Sequence, residues 1–350
     1  MFWVMLFHAT DLGAGTEWLF LIRKLGFGGV DIFILLSAMG LAMSLGKRKQ
    51  DYTSFMSRRA SRVLPAYYVV MVPYTLFLIF QGRAVWSTLI WNTTLLYDWV
   101  QPIGAFNWYI SSAMTFYAIT PMCFRAYAAL QPATEEPGGR RGQSRRLLFV
   151  GTGVLISMAA CQVLMHDGYW DRLGFMYRVP VFLIGLLLGF FVLEDRRLKP
   201  ADIVFWCVWG LLGVGYLRVV GQGLSVGPLF FPLCYLFLFT TVPMCLILCL
   251  LFEHLPLGWL RKLLRILGKY SLEIYLFNVT LFAETPLLRQ LVPFGSINRI
   301  YYPLSFAANI ILGIALHHIL AFLPWHHPKH SKKEDPPKSA GPFLREERIQ

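Results

Sequence analysis

The chain has 350 residues, of which 56% are hydrophobic and only 15% are charged, and its net charge is +13. A soluble domain carries about 25% charged residues. Here the apolar residues gather in long blocks, which excludes a water-soluble globular protein and fits an integral membrane protein. The positive balance does not call for a nucleic-acid partner, because most Lys and Arg fall in loops between apolar blocks, as cytoplasmic loops require.

Ten apolar segments follow in chain order, at 1–9, 27–46, 63–80, 106–124, 147–165, 174–193, 201–220, 229–252, 270–290 and 301–323. With the N-terminus inside, the basic stretches GKRKQ, SRRASR, RRGQSRR, EDRRLK and RKLLRILGK all fall on the cytoplasmic side. The expectation is an all-α polytopic bundle of about ten transmembrane helices with both termini cytoplasmic. Residues 1–325 form the membrane domain and 326–350 a disordered basic tail. The stretch 84–99, AVWSTLIWNTTLLYDW, is aromatic and mixed and suits an interfacial or re-entrant piece. The loop 131–146, rich in Pro, Gly and charge, is expected to be flexible. The six cysteines form no CxxC pair and suit small core positions. No fixed-period repeat and no inverted pair of broken helices is evident.

The first segment, MFWVMLFHA, raises a question of its own. A span needs about 20 residues, yet this run is about half that length and carries His8 next to its end. The helix is expected to be truncated, with its pattern beginning 10–15 residues upstream.

Polar residues inside the later segments carry the chemistry. Asp31 stands at the start of the second segment, where it either caps the helix or orients a catalytic group. Ser37, six residues on, suits a back-bond to its own helix. Arg58, Arg59 and Arg62 stand at the mouth of the third segment. Arg59 and Arg62 share a face, which suits a phosphate-rich ligand or anionic lipid. In NWYISSAMTFYAITPM, Trp108 and Tyr109 fit an aromatic belt. Ser111, Ser112 and Thr115 form a polar stripe with Tyr117 beyond it, either packing helices or lining a cavity. Arg178 precedes Pro180 in an apolar run, and either snorkels or serves a site. Lys269, Ser271, Glu273, Tyr275 and Asn278 are the polar members of the ninth segment. Glu273 there is a functional candidate, with an internal salt bridge to an arginine as the rival role. His317 and His318 are adjacent and point to different faces. His326, His327 and His330 lack the context of a metal site, and no metal is expected.

These stretches together resemble acyltransferase family 3, bacterial membrane O-acyltransferases that modify surface and exopolysaccharides. The family's G-V-D-I-F-F-x-L-S-G element is similar to Gly29 through Ser37, and R-R-x-x-R-x-x-P to Arg58, Arg59, Arg62 and Pro65. W-x-x-S…F-Y…P is similar to Trp108, Ser111, Phe116, Tyr117 and Pro121. R-x-P-x-F-x-x-G is similar to Arg178, Pro180, Phe182 and Gly185. The late L-G-x-x-S-x-x-x-Y-L element is similar to Leu267, Gly268, Ser271, Tyr275 and Leu276. Five elements in order, over residues 8 to about 282, make the likeness specific.

The resemblance implies a ten-helix fold in the bacterial inner (plasma) membrane. It also implies acyl transfer from acyl-CoA, usually acetyl-CoA, to a hydroxyl of a glycan or lipid-linked saccharide. His8 is then the implied base, and Arg58, Arg59, Arg62 and Lys269 the implied phosphate holders. Asp31, which the helix directions place toward the same outer side as His8, is expected to fix the base's tautomer. Trp108, Ser111, Tyr117, Arg178, Glu273 and Tyr275 are candidates for the substrate or the oxyanion. Three departures stand out. The arginine eleven residues before the histidine would precede Met1; Ala38 replaces a glycine; and Asn278 replaces a late histidine, so it cannot exchange a proton near neutral pH. A transporter or flippase and an inactive relative are the rival readings. Acyl transfer without net flux separates the first, and donor binding without turnover the second.

Overall fold

The computed structural model describes residues 1–9, 17–48, 50–100, 108–132, 139–166, 173–196, 198–221, 233–254, 258–284 and 298–322. Every regular element among them is helical. In chain order these are α1 (Phe2–His8), α2 (Phe20–Lys24), α3 (Gly29–Lys47), α4 (Tyr52–Phe80), α5 (Trp86–Thr93) and α6 (Tyr97–Val100). They continue as α7 (Trp108–Ala129), α8 (Arg140–His166), α9 (Leu173–Met176), α10 (Val179–Leu193), α11 (Pro200–Gly221) and α12 (Leu236–His254). The last three are α13 (Gly258–Lys269), α14 (Ser271–Phe277), which runs on as a π-helical stretch Asn278–Glu284, and α15 (Asn298–Ala321).

All ten apolar segments carry a helix, and seven helices are long and apolar enough to cross a membrane. The three that fall short among the described residues are α1, α14 with its π stretch, and α7, whose Ser111, Ser112, Thr115 and Thr120 lower its hydropathy. Large apolar side chains stand exposed along α8 (Leu148, Leu155, Ile156) and α11 (Val204, Phe205, Leu211). Continuous apolar surface of that kind is stable against lipid, not water. The chain is a multi-pass membrane protein.

Three expectations need adjusting. The third segment starts earlier than 63, because α4 begins at Tyr52, and Arg58, Arg59 and Arg62 lie on the helix near its N-terminal end. Asp51 caps that start, its carboxylate accepting from the Ser54 amide at 3.2 Å and from the Thr53 hydroxyl. The loop expected at 131–146 gives way to helix at Arg140. Of the six cysteines, Cys207 and Cys249 are exposed, not core. The stretch 84–99 forms α5 and α6, too short to span, as expected. The tail from 326 lies outside the described residues.

Contacts divide the chain into two units. The first comprises Met1–Val30, Arg58–Ser111 and Leu248–His327; among the described residues the second comprises Asp31–Ser57 and Ser112–Ile247. In the first, α14 lies against α15, and Gly313 makes the approach possible: a Cβ there would stand 2.8 Å from the Ile274 backbone nitrogen. Met5 of α1 is buried with Tyr270 and Ile274, flanked by Phe306, Ile310 and Ile314. Further along, Ala9 is buried with Tyr301 and Tyr302. The short α5 is held to α4 by Tyr67 and Tyr68, whose hydroxyls donate to the carbonyls of Asn92 and Thr93 at 2.9 Å. α13 segregates Trp259, Leu260, Leu263, Leu264, Ile266 and Leu267 from Arg261, Lys262, Arg265 and Lys269, and none of its residues is buried. That pattern suits a helix lying along a membrane interface.

In the second unit α10 packs closely on α3. Gly185 and Gly189 face Ala38 and Ala42, and a Cβ on Gly185 would lie 2.6 Å from the Leu35 carbonyl oxygen. Two small-xxx-small pairs therefore let the backbones meet, the usual device where lipid supplies no hydrophobic drive. Phe116 stacks on Phe182 at 4.5 Å and Phe124 on Phe190 at 4.8 Å. Arg146, in the region expected to be loop, is buried. Its Nε donates to the Tyr127 carbonyl at 3.0 Å, and its guanidinium pairs with Glu194. α10 ends on Asp195 in the left-handed region, with the Arg196 amide bonded to Phe191 and the Asp195 amide to Val192. This double bond is the Schellman arrangement, which glycine at that position favours.

Candidate active site

In the first unit, His8 closes the last turn of α1. Its ring is half-buried, stands edge-on to Phe7 at 5.1 Å, and has no hydrogen-bond partner among the described residues. The helix end beside it is satisfied from outside: Arg23 Nη1 donates to the Ala9 carbonyl at 3.0 Å. Arg23 was missed in the sequence because it sits in a mixed stretch with no repeating pattern. The turn at Gly26 to Gly29 lies under α1, and a Cβ on Gly29 would meet Val4 Cγ2 at 2.8 Å. The Gly29 of the matched element is thus required by close packing.

A second polar level lies along α15. Glu273, buried on α14, accepts from or shares a proton with His317 Nδ1 at 2.8 Å. The internal partner is therefore a histidine, not the arginine considered from sequence. His317 and His318 also converge, because Tyr270 stands edge-on to the first at 4.8 Å while its hydroxyl lies 3.4 Å from Nε2 of the second. Lys269 Nζ reaches the same hydroxyl at 3.4 Å. Tyr302, packed at the Ala9 level, and His317 are fifteen residues apart on α15, about 22 Å at 1.5 Å per residue. Unit one thus keeps His8 and the Glu273 cluster at separate depths.

Between them Asn278 and Asn309 are buried and share one hydrogen bond of 3.4 Å. Asn278 Nδ2 and Asn309 Oδ1 have no partner among the described residues. The pair begins the π stretch, where the helix bulges. π bulges are frequent at functional sites.

The other candidates of this unit divide. Ser111 packs helices: its hydroxyl donates to the Leu95 carbonyl at 2.8 Å and accepts from Trp99 Nε1 at 3.1 Å. Tyr275 is buried edge-on to Tyr109 at 5.1 Å, and Tyr109 in turn to Trp108 at 6.1 Å. Arg58 and Arg62 are exposed, Arg59 is half-buried, and Lys269 is exposed. Along α4, Tyr52, Phe55, Arg59 and Arg62 recur on one helix stripe.

In the second unit, Asp31 and Arg178 are both buried, and Arg178 Nε stands 3.7 Å from Asp31 Oδ2. Snorkelling is excluded for Arg178. Its Nη1 also donates to the Gly174 carbonyl at 2.9 Å. Two isolated charges in an apolar core would each be very costly, and pairing is what makes their burial tolerable. Tyr117 of α7 is half-buried and bonded to nothing among the described residues.

A family model described as an acyltransferase domain, acyltransferase family 3, matches residues 1–318. No match was found among curated proteins or among solved structures.

Proposed function

The chain belongs to acyltransferase family 3, and from that premise we propose that it is a membrane O-acyltransferase. It moves an acyl group, acetyl being the family's usual one, from a coenzyme A thioester to a hydroxyl of a glycan or lipid-linked saccharide. The observation that carries the reading is the state of His8. A general base needs an uncommitted ring nitrogen, and among the described residues His8 has no hydrogen-bond partner while its helix is fixed by Arg23 and by glycine packing.

In this proposal His8 takes the acceptor's hydroxyl proton as that oxygen bonds to the thioester carbonyl carbon. Histidine suits the role because its unperturbed pKa lies near operating pH. The C–S bond then breaks and the departing thiolate receives the proton back from His8. The oxyanion formed on the way needs a fixed positive charge or hydrogen-bond donors; in the second unit the charge of that kind is Arg178, held by Asp31. Asp31 then acts as a positioning residue for Arg178. Arg58, Arg59, Arg62 and Lys269 hold donor phosphates, and Glu273 with His317 orders the helix from which Tyr275 reaches the substrate. The membrane is the bacterial inner membrane, with both termini on its cytoplasmic side.

The test is acyl incorporation by proteoliposomes supplied with acetyl-CoA and a saccharide acceptor. His8→Ala should lower the rate by about 10²–10⁴-fold while the protein still folds into the membrane. An unchanged rate would remove His8 from the mechanism, and net acceptor flux without acylation would replace the enzyme with a transporter.

A further inference from the structure

The second unit holds a cavity of about 340 Å³ that the proposed mechanism does not use. Its walls are the α3–α4 turn, the first turn of α4 and the last turns of α7, all within that one unit. The floor is apolar and buried, made by Leu45, Phe55, Pro121 and Phe124. Arg48, Asp51 and Arg125 carry the charge of the rim. Arg48 and Arg125 are exposed, and neither has a hydrogen bond, ion pair or ring contact among the described residues. Two guanidinium groups thus edge one concavity with their donors uncommitted.

The depth of the cavity decides what reaches it. Arg48 and Arg125 stand just past the ends of the apolar segments 27–46 and 106–124. Both therefore lie where the helices leave the hydrocarbon and phospholipid headgroups begin. Met122, one turn deeper on the same face of α7 as Arg125, is 70% exposed. Apolar surface of that kind faces lipid chains. A molecule seated here meets cations at its head and apolar surface along its tail.

Charge then selects among lipids. Two guanidinium groups against one carboxylate leave the rim one net positive charge. A phosphodiester carries a single negative charge, and its two free oxygens suit two forked donors. The Asp51 carboxylate, held well below the usual range by the Ser54 side chain and then by Thr53, stays charged. It repels phosphate but accepts from a hydroxyl.

We propose that this cavity binds the headgroup of an anionic glycerophospholipid. The phosphodiester sits between Arg48 and Arg125, headgroup hydroxyls donate to Asp51, and the first methylenes of the chains lie on Phe55 and Phe124. Basic pockets between membrane helices hold acidic headgroups in this way. A zwitterionic lipid leaves one guanidinium unneutralised, and a free phosphate leaves the apolar floor uncovered. The site needs nothing from the acyl-transfer reading.

The experiment uses the full chain, stripped of lipid in detergent, with lipid uptake followed by native mass spectrometry. The probes are phosphatidylglycerol, phosphatidylethanolamine and phosphatidylcholine with identical acyl chains. Wild type should take up its first phosphatidylglycerol at least about tenfold more tightly than either zwitterionic lipid. The exposed double variant R48Q/R125Q should keep its unfolding midpoint and its uptake of phosphatidylcholine, and lose that preference. R48K/R125K, which keeps the charge but not the fork, should fall between. Equal uptake of phosphatidylglycerol by wild type and R48Q/R125Q overturns the site. Equal uptake of phosphatidylethanolamine and phosphatidylglycerol by wild type overturns it too, because charge then selects nothing. Displacement of the lipid by equimolar glycerol 3-phosphate also overturns it, making the cavity a site for free phosphate.

Discussion

The Asp31–Arg178 pair allows a quantitative test. Its side chains are 3% and 5% exposed, and the charged atoms stand 3.7 Å apart. At an effective dielectric of 20 their attraction is roughly 4 kcal/mol. Against it stands the cost of taking both ions out of water, so the net worth of the intact pair is small. Breaking it is another matter, because the survivor is left charged and buried. Asp31→Asn and Arg178→Gln should each lose about 3–5 kcal/mol of stability. The double variant should lose much less than the sum, because neither charge remains. The assay is denaturant-induced unfolding of all four proteins in one detergent, completing a double-mutant cycle. Single losses that simply add, to within about 0.5 kcal/mol, would show that the two groups do not feel each other and would refute the argument.

Other consequences are as specific. Gly185→Ala puts a methyl group 2.6 Å from the Leu35 carbonyl oxygen and 2.8 Å from Ala38 Cβ, so α3 and α10 must part; a loss of about 1–3 kcal/mol is expected, read as a lower unfolding midpoint. His317→Ala leaves the buried Glu273 without its bond and should cost about 1–3 kcal/mol, and adding Glu273→Gln should recover part of that in the same melt. Asp195→Gly relieves a left-handed residue at an exposed helix end and should raise stability by up to about 1 kcal/mol. Asp51 has a lowered folded-state pKa, so the stability it contributes is present above the unfolded carboxylate value and is lost as pH falls through the folded one. Infrared titration should show its band ionised below pH ~3.9, and Ser54→Ala with Thr53→Ala should move it upward.

The sequence by itself determined the class of this protein. Blocks of apolar residues can be stable only in lipid, and each of the ten carries a helix because a lipid-exposed backbone must satisfy its own hydrogen bonds. The ordered motifs at Gly29, Arg58, Trp108, Arg178 and Gly268 were legible too, because they are local patterns of residue type, and they led to the family that matches residues 1–318. What pairs with what was not legible. Arg178 could as well have snorkelled, and only packing on α3 supplied Asp31. Glu273 met His317, forty-four positions away, and Arg146 was drawn from an expected loop into the core by Glu194 and the Tyr127 carbonyl. A buried charge must find a partner, but the sequence shows the charge without the distance. That distance depends on how closely two helices approach, which glycines such as Gly185 and Gly313 decide only once their neighbours across the interface are in place.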